Sequence, residues 1–136
     1  SYVTAVVCNE WDYATSLNYC LGNMGNTPNV TVGFFDGAWH NTTGIAYAQN
    51  QWFHITGSYD GATIKQFTNG VQVDSLSYAG TPSSGGEWRI NRRWDDVVSS
   101  GNLFDLDLAA LRVYNRALTN AEIVQNYNSI RGRFGI

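Results

Sequence analysis

The sequence predicts an all-β, antiparallel two-sheet sandwich closed by one short C-terminal helix, and three observations carry that expectation. Turn dipeptides punctuate the chain at Asp36-Gly37, Asp60-Gly61 and Asn69-Gly70, as hairpins joining consecutive strands require. The segments between them have the length of single strands, with no alternation of strand and helix. After Leu118 the period changes. Thr119 stands three residues before Glu122, the spacing of a capping box, and Ile123, Tyr127 and Ile130 then recur at helical spacing.

Taken in order, the first strand-like runs are Ala5 to Cys8 and Leu17 to Cys20. Two strands joined by a short connection bring their cysteines toward disulfide reach, yet two buried thiols fit the same residues, and spacing does not choose between them. Asn29 to Phe35 reads as the next strand. A three-strand meander follows from Trp52 to Tyr78, its second and third members at Ala62 to Thr68 and Val71 to Tyr78. Glu87 to Asn91 and Phe104 to Tyr114 read as further strands, while Ala79 to Gly86 and Arg92 to Asn102 read as polar loops. The helix is expected from Thr119 to Arg131, packed through Ile123, Tyr127 and Ile130 and closed by Gly132.

A chain of 136 residues fits one domain, residues 1–136, with a continuous core. Charged residues make up only 14%, against roughly a quarter in ordinary globular proteins. Amides and hydroxyls therefore dominate the polar surface, which suits sugar hydroxyls and equally suits neighbouring protein subunits. The net charge of −3 and the absence of a basic cluster beyond Arg92-Arg93 argue against nucleic acid as a partner. No apolar run approaches the ~20 residues of a membrane span, and no secretion signal opens the chain. The start at Ser1 is read as a chain trimmed after initiation or cut from something longer.

Two blocks of sequence carry a family resemblance. The first is Arg112-Val113-Tyr114-Asn115-Arg116-Ala117-Leu118-Thr119 with Glu122-Ile123; the second is Trp52, His54 and Ile55 followed by Tyr59-Asp60-Gly61 and Thr68-Asn69-Gly70. Together they resemble laminin G-like domains of the concanavalin A-like lectin/glucanase superfamily. The resemblance implies a jelly-roll sandwich, core positions for Trp52 and Tyr114, and a satisfied, partly buried imidazole at His54. It also implies a first strand that this chain lacks or borrows from a neighbour. The ending from Asn126-Tyr127-Asn128 through Arg131-Gly132-Arg133-Phe134-Gly135-Ile136 is similar to the C-termini of tailed-phage virion proteins, those of cyanophages especially. That similarity implies a virion or extracellular surface location.

Candidate binding residues stand where aromatics meet polar neighbours. Trp11, Trp39 and Trp94 lie in the contexts NEWDY, GAWHN and RRWDD, and with Asp12, Asn41 and Asp95 they supply stacking faces and hydrogen-bonding groups for a sugar. A tryptophan folded back onto the sandwich end is the plainer alternative for each. Oxygen donors cluster at Asp95, Asp96, Asn102, Asp105 and Asp107, the mix that Ca²⁺ prefers. They match no ligand motif, and Ala109 stands where the family usually has an aspartate. Asp105 and Asp107 share a strand face, in resemblance to the acid row of laminarinase-type hydrolases, but Ala110 replaces the final glutamate and the retaining pair is incomplete. No catalytic residues are therefore expected. The expectation is a non-catalytic recognition or adhesion module for cell-surface glycans. Its competitor is a virion structural or decoration protein, packed against capsid or tail subunits and forming homo-oligomers.

Overall fold

Nine strands and one helix form among the described residues of the computed structural model, which are 3–10, 17–24, 29–82, 87–92 and 107–136. The strands are β1 (Val3–Glu10), β2 (Leu17–Met24), β3 (Asn29–Phe35), β4 (Trp39–Asn41), β5 (Ile45–Ala46), β6 (Ile55–Tyr59), β7 (Thr63–Thr68), β8 (Val71–Ser77) and β9 (Glu87–Arg92); the helix is α1 (Asn120–Phe134). A six-stranded sheet runs β4-β3-β2-β1-β9, with β5 also paired to β3, and a three-stranded sheet runs β6-β7-β8. Every pairing is antiparallel. This is the expected two-sheet sandwich with one terminal helix.

The core follows from strand alternation. Val30, Val32 and Phe34 occupy one face of β3, and all three are buried, because successive residues of a strand turn to opposite faces. Val32 and Phe34 meet Ile64 of β7, with Leu21, Tyr59, Leu76 and Tyr78 packed around the cluster. A polar staple crosses this core. Thr42 donates from Oγ1 to Gln66 Oε1 at 2.6 Å, Gln66 Nε2 donates to the Val30 carbonyl at 2.9 Å, and the Val32 N–H donates to Thr42 Oγ1 at 3.0 Å. Thr42 and Gln66 are both buried, so these bonds replace the water each group gives up.

Turn chemistry fixes the second sheet. Asn69 and Gly70 both adopt positive φ, 50° and 78°, as a two-residue I′ hairpin demands. The helix packs over that end of the sheet. The Tyr127 ring lies beside Gly70 and tilts against His54 at 5.9 Å between ring centres, while Phe134 meets Trp52 at 4.9 Å. Thr119 and Glu122 form the expected capping box. Ile123 is fully buried, and Tyr127 and Ile130 are partly so.

Four expectations need correction. The helix does not close at Gly132; it continues to Phe134, and Gly135 is the left-handed C-cap, because the extra turn lets Phe134 reach Trp52. Trp52 and Tyr114 are not core residues, being 40% and 45% exposed. Trp52 covers Phe134 at the surface, and Tyr114 is drawn to the helix through its hydroxyl, which accepts from Asn126 Nδ2 at 3.1 Å. The segment 107–114 makes no strand among the described residues. It finds no ladder there and lies along α1 instead, where Arg112 also donates to Asn126 Oδ1 at 3.2 Å. Finally, His54 is partly buried as expected but not satisfied, since its Nδ1 is buried without a hydrogen-bond partner among the described residues.

Candidate functional site at the β3–β4 rim

The β3–β4 hairpin carries the candidate site. Asp36-Gly37-Ala38 turns the chain and Trp39, His40 and Asn41 return along β4, opposite Phe35, Phe34 and Gly33 respectively. Alternation then sorts the three side chains. Trp39 and Asn41 share the outer face of the six-stranded sheet, while His40 joins Phe34 on the inner one.

Trp39 is 40% exposed. Its indole packs against Phe35, 5.3 Å between ring centres at 65°, an edge-to-face arrangement that leaves part of the ring exposed. In the turn, Asp36 is engaged at both carboxylate oxygens. Oδ1 lies 3.0 Å from His40 Nε2 and Oδ2 accepts from the Tyr78 hydroxyl at 2.8 Å. The His40 and Tyr78 rings stack at 3.4 Å between centres, inclined by 13°. The carboxylate raises the Tyr78 phenol above its ordinary pKa, because the hydrogen bond to Asp36 favours the protonated form.

A second latch joins this corner to the other sheet. The Tyr59 hydroxyl donates to the Gly80 carbonyl and accepts from the Gly80 N–H at 3.0 Å. Only glycine fits at position 80, since a Cβ there would overlap the Tyr78 ring and Asp36 Oδ2. Asn41, also on this strand, has its Oδ1 buried without a partner among the described residues.

An Asp-His pair suggests proton transfer, so its geometry matters. Each oxygen of Asp36 already has a partner, and His40 stacks on Tyr78 with Phe34 tilted beside it at 6.2 Å. The arrangement orients rings and holds the turn. His54, the other histidine, has its pKa lowered by burial and then by the charge of Arg112.

Of the residues singled out from sequence, Trp39 and Asn41 come together on one strand face. Trp11, Asp12, Trp94 and Asp95 lie outside the described residues, as do Asp96, Asn102 and Asp105 of the candidate calcium set. Asp107 is described and exposed. Among the described residues, no group of three or more His, Cys, Asp or Glu is placed to hold a metal ion, and no helix is long and apolar enough to cross a membrane. Asp36, Tyr59, Tyr78 and Gly80 were not foreseen. A histidine four residues after an Asp-Gly turn is a signal for the first; nothing local points to Tyr78.

A depression of about 250 Å³ lies between segment 112–118 and the helix, lined by Arg112, Tyr114, Arg116, Glu122 and Asn126. Its polar groups already satisfy one another. Arg116 clasps Glu122 through two bonds of 2.6 and 3.0 Å, and Arg112, Asn126 and Tyr114 form a chain.

Comparison with known proteins agrees with this architecture. Residues 9–124 match the laminin G 3 family of the concanavalin A-like lectin/glucanases superfamily. The chain belongs to that superfamily. Among solved structures it is similar to an S-layer domain-containing protein, residues 221–444, from Clostridium thermocellum ATCC 27405. The two superpose with a TM-score of 0.50 at 18% identity, over 76% of this chain and 59% of that one. The chain thus spans less than two thirds of that structure, and the likeness is one of fold. No curated protein matches the sequence.

Proposed function

We propose that this concanavalin A-like domain is a non-catalytic recognition module that binds glycans through the β3–β4 rim. The observation that carries the reading is Trp39, which is 40% exposed at the β3–β4 hairpin with its indole packed against Phe35. A sugar presents an apolar CH face and a ring of hydroxyls. Trp39 suits the first, and Asn41 on the same strand face suits the second. Trp11, Asp12, Trp94 and Asp95 belong to the same proposal through their sequence contexts alone. The resemblance of the C-terminus to tailed-phage virion proteins supports display on a virion or another extracellular surface, with a cell-surface glycan as partner.

A second reading rests on a separate observation. Leu108, Leu111, Val113 and Tyr114 are exposed along one segment, as are Val71 and Val73 on β8 and Trp88 and Ile90 on β9. Apolar surface of this extent suits a protein neighbour, as in a decoration or structural subunit packed against capsid or tail proteins or against its own copies. One virion surface module can do both.

Glycan-array screening of the purified chain, paired with size-exclusion chromatography and a reducing-sugar assay on β-glucans, tests these readings. Selective glycan binding without sugar release is expected. Release of reducing sugar that vanished in an Asp107→Asn variant would overturn the non-catalytic reading. A monomer that bound no glycan would leave neither reading standing.

A further inference from the structure

The register of the six-stranded sheet places Cys8 of β1 directly opposite Cys20 of β2. The same row continues through Gly33 of β3 on one side and Arg89 of β9 on the other. Its face follows from the neighbours. Leu21 packs against the inter-sheet cluster together with Val32 and Phe34, so Cys20 and Gly33, one residue away in each strand, belong to the opposite, outer face. Cys8 shares that face by register.

We propose that Cys8 and Cys20 are a redox-modification site, forming an intramolecular cross-strand disulfide by exchange with a small-molecule disulfide such as oxidised glutathione. Directly opposed residues of an antiparallel pair have Cα atoms about 4.5–5.5 Å apart, inside the range a disulfide spans. Arg89 holds the register position beside Cys8 on β9, and because a nearby cation favours a thiolate, Cys8 is assigned as the first nucleophile. Cys8 Sγ⁻ attacks one sulfur of oxidised glutathione, forming the mixed disulfide and expelling one glutathione thiolate. Cys20, as thiolate, then attacks the Cys8 sulfur, forming the protein S–S bond and expelling the second. Two protein thiols are oxidised and one glutathione disulfide is reduced, the two protons given up by the cysteines passing through solvent to the two expelled glutathione thiolates. Gly33, without a side chain, is the next residue of the row beyond Cys20. The bridge closes residues 9–19, the connection that contains Trp11 and Asp12, and it stands independently of glycan binding.

The test uses the whole chain, reduced and then incubated with excess oxidised glutathione, quenched in acid, and alkylated with iodoacetamide in denaturant. Intact mass should show no alkylation and the loss of two hydrogens, with the protein still monomeric on a non-reducing gel. Loop closure should raise Tm by about 10 °C over the reduced protein, and a Cys8→Ser/Cys20→Ser variant should lose all redox dependence. Arg89→Gln should slow oxidation roughly 3- to 10-fold without changing the product. Two alkylated thiols after oxidation, stable glutathione adducts, or disulfide-linked dimers in place of the intramolecular bridge would each overturn the proposal. A bridge that left Tm unchanged would overturn its loop-closing role, and an unchanged rate in Arg89→Gln would overturn the assignment of Cys8 as nucleophile.

Discussion

Replacing Thr42 with valine keeps the shape of the side chain and deletes one hydroxyl at the centre of the sandwich. That hydroxyl donates to Gln66 Oε1 at 2.6 Å and accepts the Val32 N–H at 3.0 Å. Gln66 is fully buried and Thr42 is 3% exposed, so water cannot readily replace either bond. Two polar atoms are orphaned, at about 1–3 kcal/mol each, and partial relaxation brings the expected cost to about 3 kcal/mol. The Val32 carbonyl is unaffected, because the Thr42 N–H still donates to it at 3.0 Å. For a chain of this length the unfolding entropy is about 0.29 kcal/mol/K, so the expected fall in Tm is about 10 °C. Urea melts of Thr42→Val, Gln66→Met and the double variant separate the bond from mere packing. The two losses should be non-additive by about 1–2 kcal/mol, since the second substitution removes a group already orphaned by the first. A Thr42→Val variant within 0.5 kcal/mol of wild type (about the range of neutral surface changes), or strictly additive losses, would refute the staple.

Two further outcomes are expected of the helix. Arg116 and the Thr119 cap hold the Glu122 carboxyl at about 2, below its ordinary value of 4.5. Its contribution is therefore complete above pH 4.5 and is lost as the pH falls toward 2; an acid titration followed by circular dichroism should show Glu122→Gln flattening stability across that window, and an unchanged slope would contradict the assignment. Gly70→Ala should cost about 1–2 kcal/mol in a thermal melt, because the new Cβ would lie 2.9 Å from Tyr127 Cδ1 at a φ of +78°, and a stabilised variant would show that the helix does not seat there.

Much of the scaffold was legible because local signals and global packing agree. The alternation of Val30, Val32 and Phe34 marks β3, and turn residues mark the β6-β7-β8 meander. The capping box marks the start of α1. Its end was misread because Gly132 and Gly135 both suit a C-cap, and the choice depends on Phe134 reaching Trp52. Gln66 looks like a solvent-facing strand residue until Thr42 and the Val30 carbonyl, both distant in sequence, are placed beside it. Segment 107–114 has the alternation of a strand, but a strand needs a partner ladder, and no property of its own residues supplies one. At the site, Trp39 and Asn41 were legible from their polar context. Tyr78 was not, since its bond to Asp36 spans 42 residues and exists only once the two sheets meet.

Titration calorimetry of the sugar selected on the array, against wild type, Trp39→Ala and Trp52→Ala, tests the proposed recognition site most directly. Trp52 is equally exposed but lies against the helix through Phe134, so it controls for general loss of aromatic surface. Removing a stacking platform costs about 1–3 kcal/mol, or roughly 5- to 150-fold in Kd. Trp39→Ala is expected to show that loss with an unchanged Tm and oligomeric state, while Trp52→Ala binds as wild type. Equal affinity for wild type and Trp39→Ala would contradict the placement of the site on the β3–β4 rim.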